Sequence, residues 1–199
     1  MRIRILSDLH LEFSPFTIKK VEGVDVTVLA GDIASHGDVE QARFKRLLNT
    51  IVGPVIYVPG NHEYYGAYKT VYEIDRTLRF DNPRVRFLNR DQFELQGVRF
   101  LGCTLWSDFR MVQHSQRRGE RPLTPDMALQ AAARGISDYR TQFASVVPPI
   151  NVTPQLQREW HVRDRAWLDQ EITRAEADKV PVVTVTHFLP HPVCVNSQY

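Results

Sequence analysis

Four short groups of residues in this chain are of the types that hold metal ions and move protons: Asp8-Leu9-His10, Gly31-Asp32, Gly60-Asn61-His62-Glu63 and His187. Each follows an apolar, β-branched run: IRIL at 3–6, VTVLA at 26–30, PVIYV at 54–58 and PVVTVT at 181–186. Singly they are weak signals, since Gly-Asp is a common turn and a strand-end His is often just a hydrogen-bonded surface group. Together they are not. In an open, mostly parallel sheet the carboxyl ends of the strands lie along one edge, where ligands bind, so the four groups are expected to converge.

The residue types suggest the chemistry. Asp8 and His10 are two apart, and in extended chain such side chains leave the same side and grip one ion. Asp32 offers two carboxylate oxygens, which suits a bridge between two ions about 3.5–4 Å apart. The Asn61 carbonyl oxygen and the neutral His187 imidazole suit the second ion. Oxygen and imidazole donors without thiolate favour Mn, Fe, Zn, Ni or Co, with Mn preferred, over a pure Ca or Mg site. Two such ions would clamp a phosphate ester and lower the pKa of a bridging water, making hydroxide available near neutral pH. His62, beside Asn61, is placed as general acid for the leaving alkoxide. Gly60 lets the backbone approach closely.

Elements must hold these groups in place. Further strand-like runs are RVRFL at 84–88 and VRFLG at 98–102, and several runs are apolar on both faces, the pattern of strands buried in a sheet covered by helices. Helical spacing predicts α-helices over 38–51, capped by Asp38, and over 158–179. Strand and helix alternate, so the class is α/β. Residues 1–199 read as one domain with an excursion or lid at about 104–157, rich in polar residues, Gly and Pro around one helical piece at 126–143. Within it Arg140 is a candidate phosphate-binding residue, because its planar fork suits phosphate oxygens. Tyr64, Tyr65, Trp106, Asp138 and Tyr139 are polar-aromatic candidates for contact with the site.

At 199 residues, with 43% hydrophobic and 24% charged residues, the chain has the make-up of a folded globular domain. A net charge of +2 does not point to nucleic acid or an anionic membrane as the main partner. Cys103 and Cys194 form no CxxC pair and are expected to be packing residues in a reducing compartment. The N-terminus MRIRILSDLH has no apolar h-region, and the expected location is cytoplasmic.

In order and type these groups resemble the calcineurin-like metallophosphoesterases of prokaryotic type, whose pattern runs DxH, GD, GNH followed by an acid, then a strand-end His. The resemblance implies a two-sheet β-sandwich flanked by helices, a dinuclear centre bridged by Asp32, proton donation by His62, and hydrolysis of phosphomonoesters or phosphodiesters. Family members also carry a downstream Gly-His-x-His, which this chain lacks. His191, flanked by Pro190 and Pro192, does not match that context, and the sequence reads as the front part of a longer protein. Phe188 stands where many relatives have a second His. A small phosphoester is the favoured substrate. A nuclease or nucleotide hydrolase, or a non-catalytic scaffold of the same fold, are the alternatives.

Overall fold

The computed structural model describes residues 1–19, 21–35, 37–65, 82–110, 124–141 and 151–194. Strands β1 (Ile3–Leu6), β2 (Val26–Ala30), β3 (Val55–Val58) and β4 (Val85–Phe87) form a parallel sheet in that order. A second sheet has the order β5 (Asp91–Leu95), β6 (Val98–Cys103), β7 (Val182–Thr186), with β5 antiparallel and β7 parallel to β6. The helices are α1 (Asp38–Thr50), α2 (Pro125–Gly135), α3 (Asp138–Thr141) and α4 (Pro154–Asp178). Among the described residues no helix is long and apolar enough to cross a membrane.

Side-chain alternation builds four layers. Leu29, Val55, Tyr57 and Phe87 face α1 and pack on its Phe44, Leu47 and Leu48. The opposite face, with Val26, Val28, Ala30, Ile56 and Val58, packs on Phe100 and Val185 of the second sheet. The outer face of that sheet, Leu101 and Cys103, is covered by Leu168, Trp167 and Ile172 of α4. Each such buried side chain contributes about 1.5–3 kcal/mol. At Gly102 the sheets approach so closely that a Cβ would stand 2.8 Å from Val58 Cγ2.

The two sheets and flanking helices match the sandwich that the family resemblance implies. The single open sheet assumed for convergence of the four groups is replaced by two sheets whose carboxyl ends meet. Thr104 Oγ1, after β6, donates to Pro59 O after β3 at 2.9 Å, and His187 Nδ1, after β7, lies 3.0 Å from Ala30 O at the end of β2. Strand β5, DQFEL, was not anticipated because three of its five residues are polar. Its Phe93 and Leu95 alternate inward, and Gln96 and Gly97, at φ 50° and 75°, close a tight hairpin into β6.

Helix ends also differ from expectation. Asp38 lies inside the first turn of α1, and the cap position is Gly37, so Asp38 acts on the helix dipole and does not cap. Helix α4 starts four residues before 158 because Thr153 accepts from Leu156 N at 3.1 Å and Pro154 occupies the first turn. The expected helix over 126–143 is interrupted after Gly135, giving α2 and α3, and 142–150, like 111–123, falls outside the described residues. Cys103 is a core residue, whereas Cys194, expected to pack, is exposed.

Asp164 anchors α4. Its fully buried carboxylate accepts from Arg90 Nη1 at 2.8 Å and from Leu105 N at 2.9 Å, joining the helix to the open end of the β5–β6 hairpin. Burial pushes its pKa up despite these bonds. A raised folded-state pKa makes the group's contribution largest below its unfolded value and smaller as pH rises through the folded value. Arg90→Ala should therefore destabilise the protein by about 1–2 kcal/mol near neutral pH, discounted for the partly exposed arginine, with the loss shrinking in acid as Asp164 protonates. Urea unfolding at two pH values checks this, and an equal loss at both would refute it.

Candidate metal centre

The exits of β1 and β2 run side by side. Asp8 N donates to Gly31 O at 3.1 Å, His10 N to Asp32 O at 3.0 Å and Leu11 N to Ile33 O at 2.9 Å, so the ladder continues past the strands. Asp8, His10 and Asp32 all have left-handed backbone, at φ 53°, 46° and 53°. The two-residue spacing of Asp8 and His10 therefore does not act through extended chain, as the sequence reading assumed. Each such conformation costs on the order of 1–3 kcal/mol and persists only where surrounding bonds hold it.

Glu63 provides much of that hold. It is fully buried behind the turn at the end of β3. Its Oε2 accepts from Gly60 N at 2.7 Å and Asp32 N at 3.0 Å, and its Oε1 from Ile33 N at 2.8 Å and Tyr57 OH at 2.7 Å. Burial, reinforced by the Asp32 charge, raises its pKa, and the donors only partly offset this. His62 N adds a bond to Asp32 Oδ1 at 2.9 Å. The glycines are needed where the loops touch: a Cβ on Gly60 would lie 2.6 Å from Asp32 N, and one on Gly31 would lie 2.6 Å from His187 Cγ.

Asp32, 4% exposed, sits at the middle of two donor sets, His10–Asp32–His62 and Asp8–Asp32–His187. His10 Nε2 and His62 Nε2 each lie 3.9 Å from Asp32 Oδ2, while His187 Nε2 lies 3.4 Å from Asp32 Oδ1 and 3.1 Å from Asn61 Oδ1. Asp8 Oδ1 stands 4.0 Å from His10 Nε2. With metal–ligand bonds of about 2.0–2.2 Å, donors around one ion lie roughly 3–4 Å apart, so these residues fit two divalent cations sharing Asp32. The structure thus brings Asp8, His10, Asp32, Asn61, His62 and His187 together, with His62 closer to the His10 side than its separate proton-donor assignment suggested.

Glu12 belongs to none of the four sequence groups, yet it joins the centre. Its Oε1 lies 2.9 Å from His10 Nδ1 and 2.7 Å from His62 Nδ1. Burial opposes the charge on His10, but the Glu12 bond and the charges of Asp32, Glu12 and Asp8 outweigh it and hold the imidazole above its ordinary value. Burial likewise opposes the Glu12 charge, yet bonds from His10, from its own backbone N–H and from His62 keep the carboxyl below its usual range. The only signal for it was its spacing two residues beyond His10.

The excursion also reaches the centre. Asp138 on α3 accepts from Asn61 Nδ2 at 3.2 Å and from Tyr65 OH, and Tyr65 stacks on His62 with ring centroids 4.1 Å apart. Burial, then Asp138, pushes the Tyr65 hydroxyl up to about 12. Arg140 is exposed two residues after Asp138, about 200° round the helix from the residue whose carboxylate meets Asn61. Tyr64, Trp106 and Tyr139 are buried. A separate cavity of about 740 Å³ is lined by Trp106, His161, Leu168, Phe188 and His191 and by none of the donors. His191 there is exposed and accepts from Val193 N at 3.2 Å.

The family model described as calcineurin-like phosphoesterase matches residues 1–197. The chain belongs to that family. It is 34% identical over 128 residues to the uncharacterized protein L509 of Acanthamoeba polyphaga mimivirus, an alignment covering 54% of this chain and 45% of that protein. The chain thus spans less than half the length of that relative. Among solved structures it resembles the phosphopantetheinyl hydrolase of Mycobacterium tuberculosis, with a TM-score of 0.56 and 19% identity over 96% of this chain and 72% of that one. At that identity the likeness concerns the fold.

Glu63→Gln retains the shape of the side chain but turns an amide NH2 toward backbone donors. It should lower stability by about 1–3 kcal/mol, measured by urea unfolding, because at least one buried backbone N–H loses its acceptor. A loss within experimental error would show that Glu63 does not clamp these loops.

Proposed function

We propose that this protein hydrolyses phosphoester bonds using two divalent metal ions, with Asp8, His10, Asp32, Asn61 and His187 as ligands, Asp32 as the shared one and His62 as proton donor. The observation that carries the reading is the single buried carboxylate common to both donor sets. When bound, such ions neutralise phosphoryl oxygens and make a water nucleophilic near neutral pH. Manganese is the favoured ion, on the mixture of oxygen and imidazole donors.

The chain's own groups do the rest. Asp32 is held by the Glu63 clamp, so its two oxygens face different donor sets without rearrangement. Asn61 is oriented by Asp138 on its nitrogen, which turns its carbonyl oxygen toward His187. His62 is stacked on Tyr65 and tethered through Nδ1, which leaves Nε2 to give a proton to the leaving oxygen as the P–O bond breaks. A small phosphomonoester or phosphodiester is the favoured substrate, in keeping with a net charge of only +2. Arg140, exposed on α3 two residues after Asp138, is the candidate for holding a phosphate oxygen.

The test is Mn²⁺-dependent hydrolysis of aryl phosphodiesters and phosphomonoesters, with nucleotides in parallel. Asp32→Asn should abolish turnover, and His62→Ala should lower kcat by about 10²–10⁴. Activity that survives Asp32→Asn, or that is indifferent to chelator, would overturn the proposal, as would no turnover of any ester by the wild type.

A further inference from the structure

We infer that Glu12 is the positioning residue of this centre, one carboxylate oxygen fixing the tautomer and ring orientation of both His10 and His62. This rests on the reading of His10 as ligand and His62 as proton donor.

An ionised carboxylate only accepts hydrogen bonds. Since Glu12 Oε1 lies 2.9 Å and 2.7 Å from the two Nδ1 atoms, both must carry hydrogen, and in each neutral ring the lone pair is left on Nε2. Both Nε2 atoms then lie at the same 3.9 Å from the same oxygen, Asp32 Oδ2. The rings meet edge to face, with centroids 4.4 Å apart and planes at 77°, so neither can turn without losing its bond to Glu12 or colliding with the other. One tether therefore serves two tasks. For His10 it presents a lone pair, and for His62 it stabilises the imidazolium whose Nε2–H is the proton to be given.

The placement of Glu12 agrees with this role. Its side chain is only 14% exposed, an unusual state for a loop glutamate. Arg43 of α1 donates to the carbonyls of Leu11 and Glu12, and Leu11 is wholly buried, so the backbone on either side is anchored. Among the described residues Oε2 is buried and has no side-chain partner, whereas Oε1 faces both imidazoles.

Glu12→Ala and Glu12→Gln test the inference against wild type. In the metal-free protein, long-range ¹H–¹⁵N correlation should show both imidazoles as Nδ1–H tautomers in the wild type and a loss of that preference in Glu12→Ala. Mn²⁺ affinity, measured calorimetrically, should fall about 10–100-fold in Glu12→Ala, with a smaller fall in Glu12→Gln. At saturating Mn²⁺ the rate on an alkyl phosphoester, whose leaving group needs a proton, should fall at least about tenfold further than on a nitrophenyl ester, whose leaving group does not. General damage to the fold would lower both rates alike. Unchanged tautomers, or Mn²⁺ affinity within about twofold of wild type, would overturn the role of Glu12. A wild type that cleaves no phosphoester defeats the proposed function instead, and the tautomer and Mn²⁺ readouts still decide Glu12. Should Glu12→Ala fail to fold, the same two readouts on Glu12→Gln decide it, wild-type values counting against the inference.

Discussion

The buried carboxylate of Glu63 is the interaction on which the rest of the centre depends. The loops after β2 and β3 carry backbone N–H groups at Asp32, Ile33 and Gly60 that no strand partner can take, because their strands have ended. Left unpaired in the interior, each would cost about 1–3 kcal/mol. One side chain accepts from all three and from the Tyr57 hydroxyl, so a charge that is expensive to bury becomes the common acceptor of two loops. Asp32 can then adopt a left-handed backbone and direct both oxygens outward.

The second sheet completes what the first begins. His187 lies far along the chain from Ala30, yet the β6–β7 pair brings it to 3.0 Å from that residue's carbonyl. Gly102 permits this by removing the Cβ that would hold the sheets apart, and Asp164 fixes the helix that covers the outer face. The functional edge of the molecule is thus made where the carboxyl ends of two sheets abut, and side chains from β1, β2, β3 and β7 meet there although no one sheet contains them all.

Around that edge the charges are balanced locally. Imidazoles and carboxylates alternate: Glu12 between His10 and His62, Asp32 between all three histidines, Asp138 on the nitrogen of Asn61. Each ring has one nitrogen bonded to protein and the other turned toward Asp32. These bonds from the protein fix the donors in place, which reduces the reorganisation that binding a cation would require.

The kinds of donor and their order are legible in the amino-acid sequence, because Asp, Asn and His follow apolar runs one strand end at a time. It also showed the central strands β2 and β3, whose both-sided apolarity needs no partner to be read. Tertiary structure alone decided the rest. A local pattern cannot separate one sheet from two, and β5 hides its inward Phe93 and Leu95 among polar neighbours. Nor does spacing reveal left-handed backbone at Asp8 and His10, which is maintained by hydrogen bonds to a loop more than 20 residues away. The same limit hid Glu12, an ordinary loop glutamate until His62 arrives 50 residues later. It also left Arg140 and Asp138 indistinguishable, since which face of a short helix meets the centre depends on packing. Residue chemistry is carried by each position, whereas the distances that turn it into a site arise only when remote segments pack together.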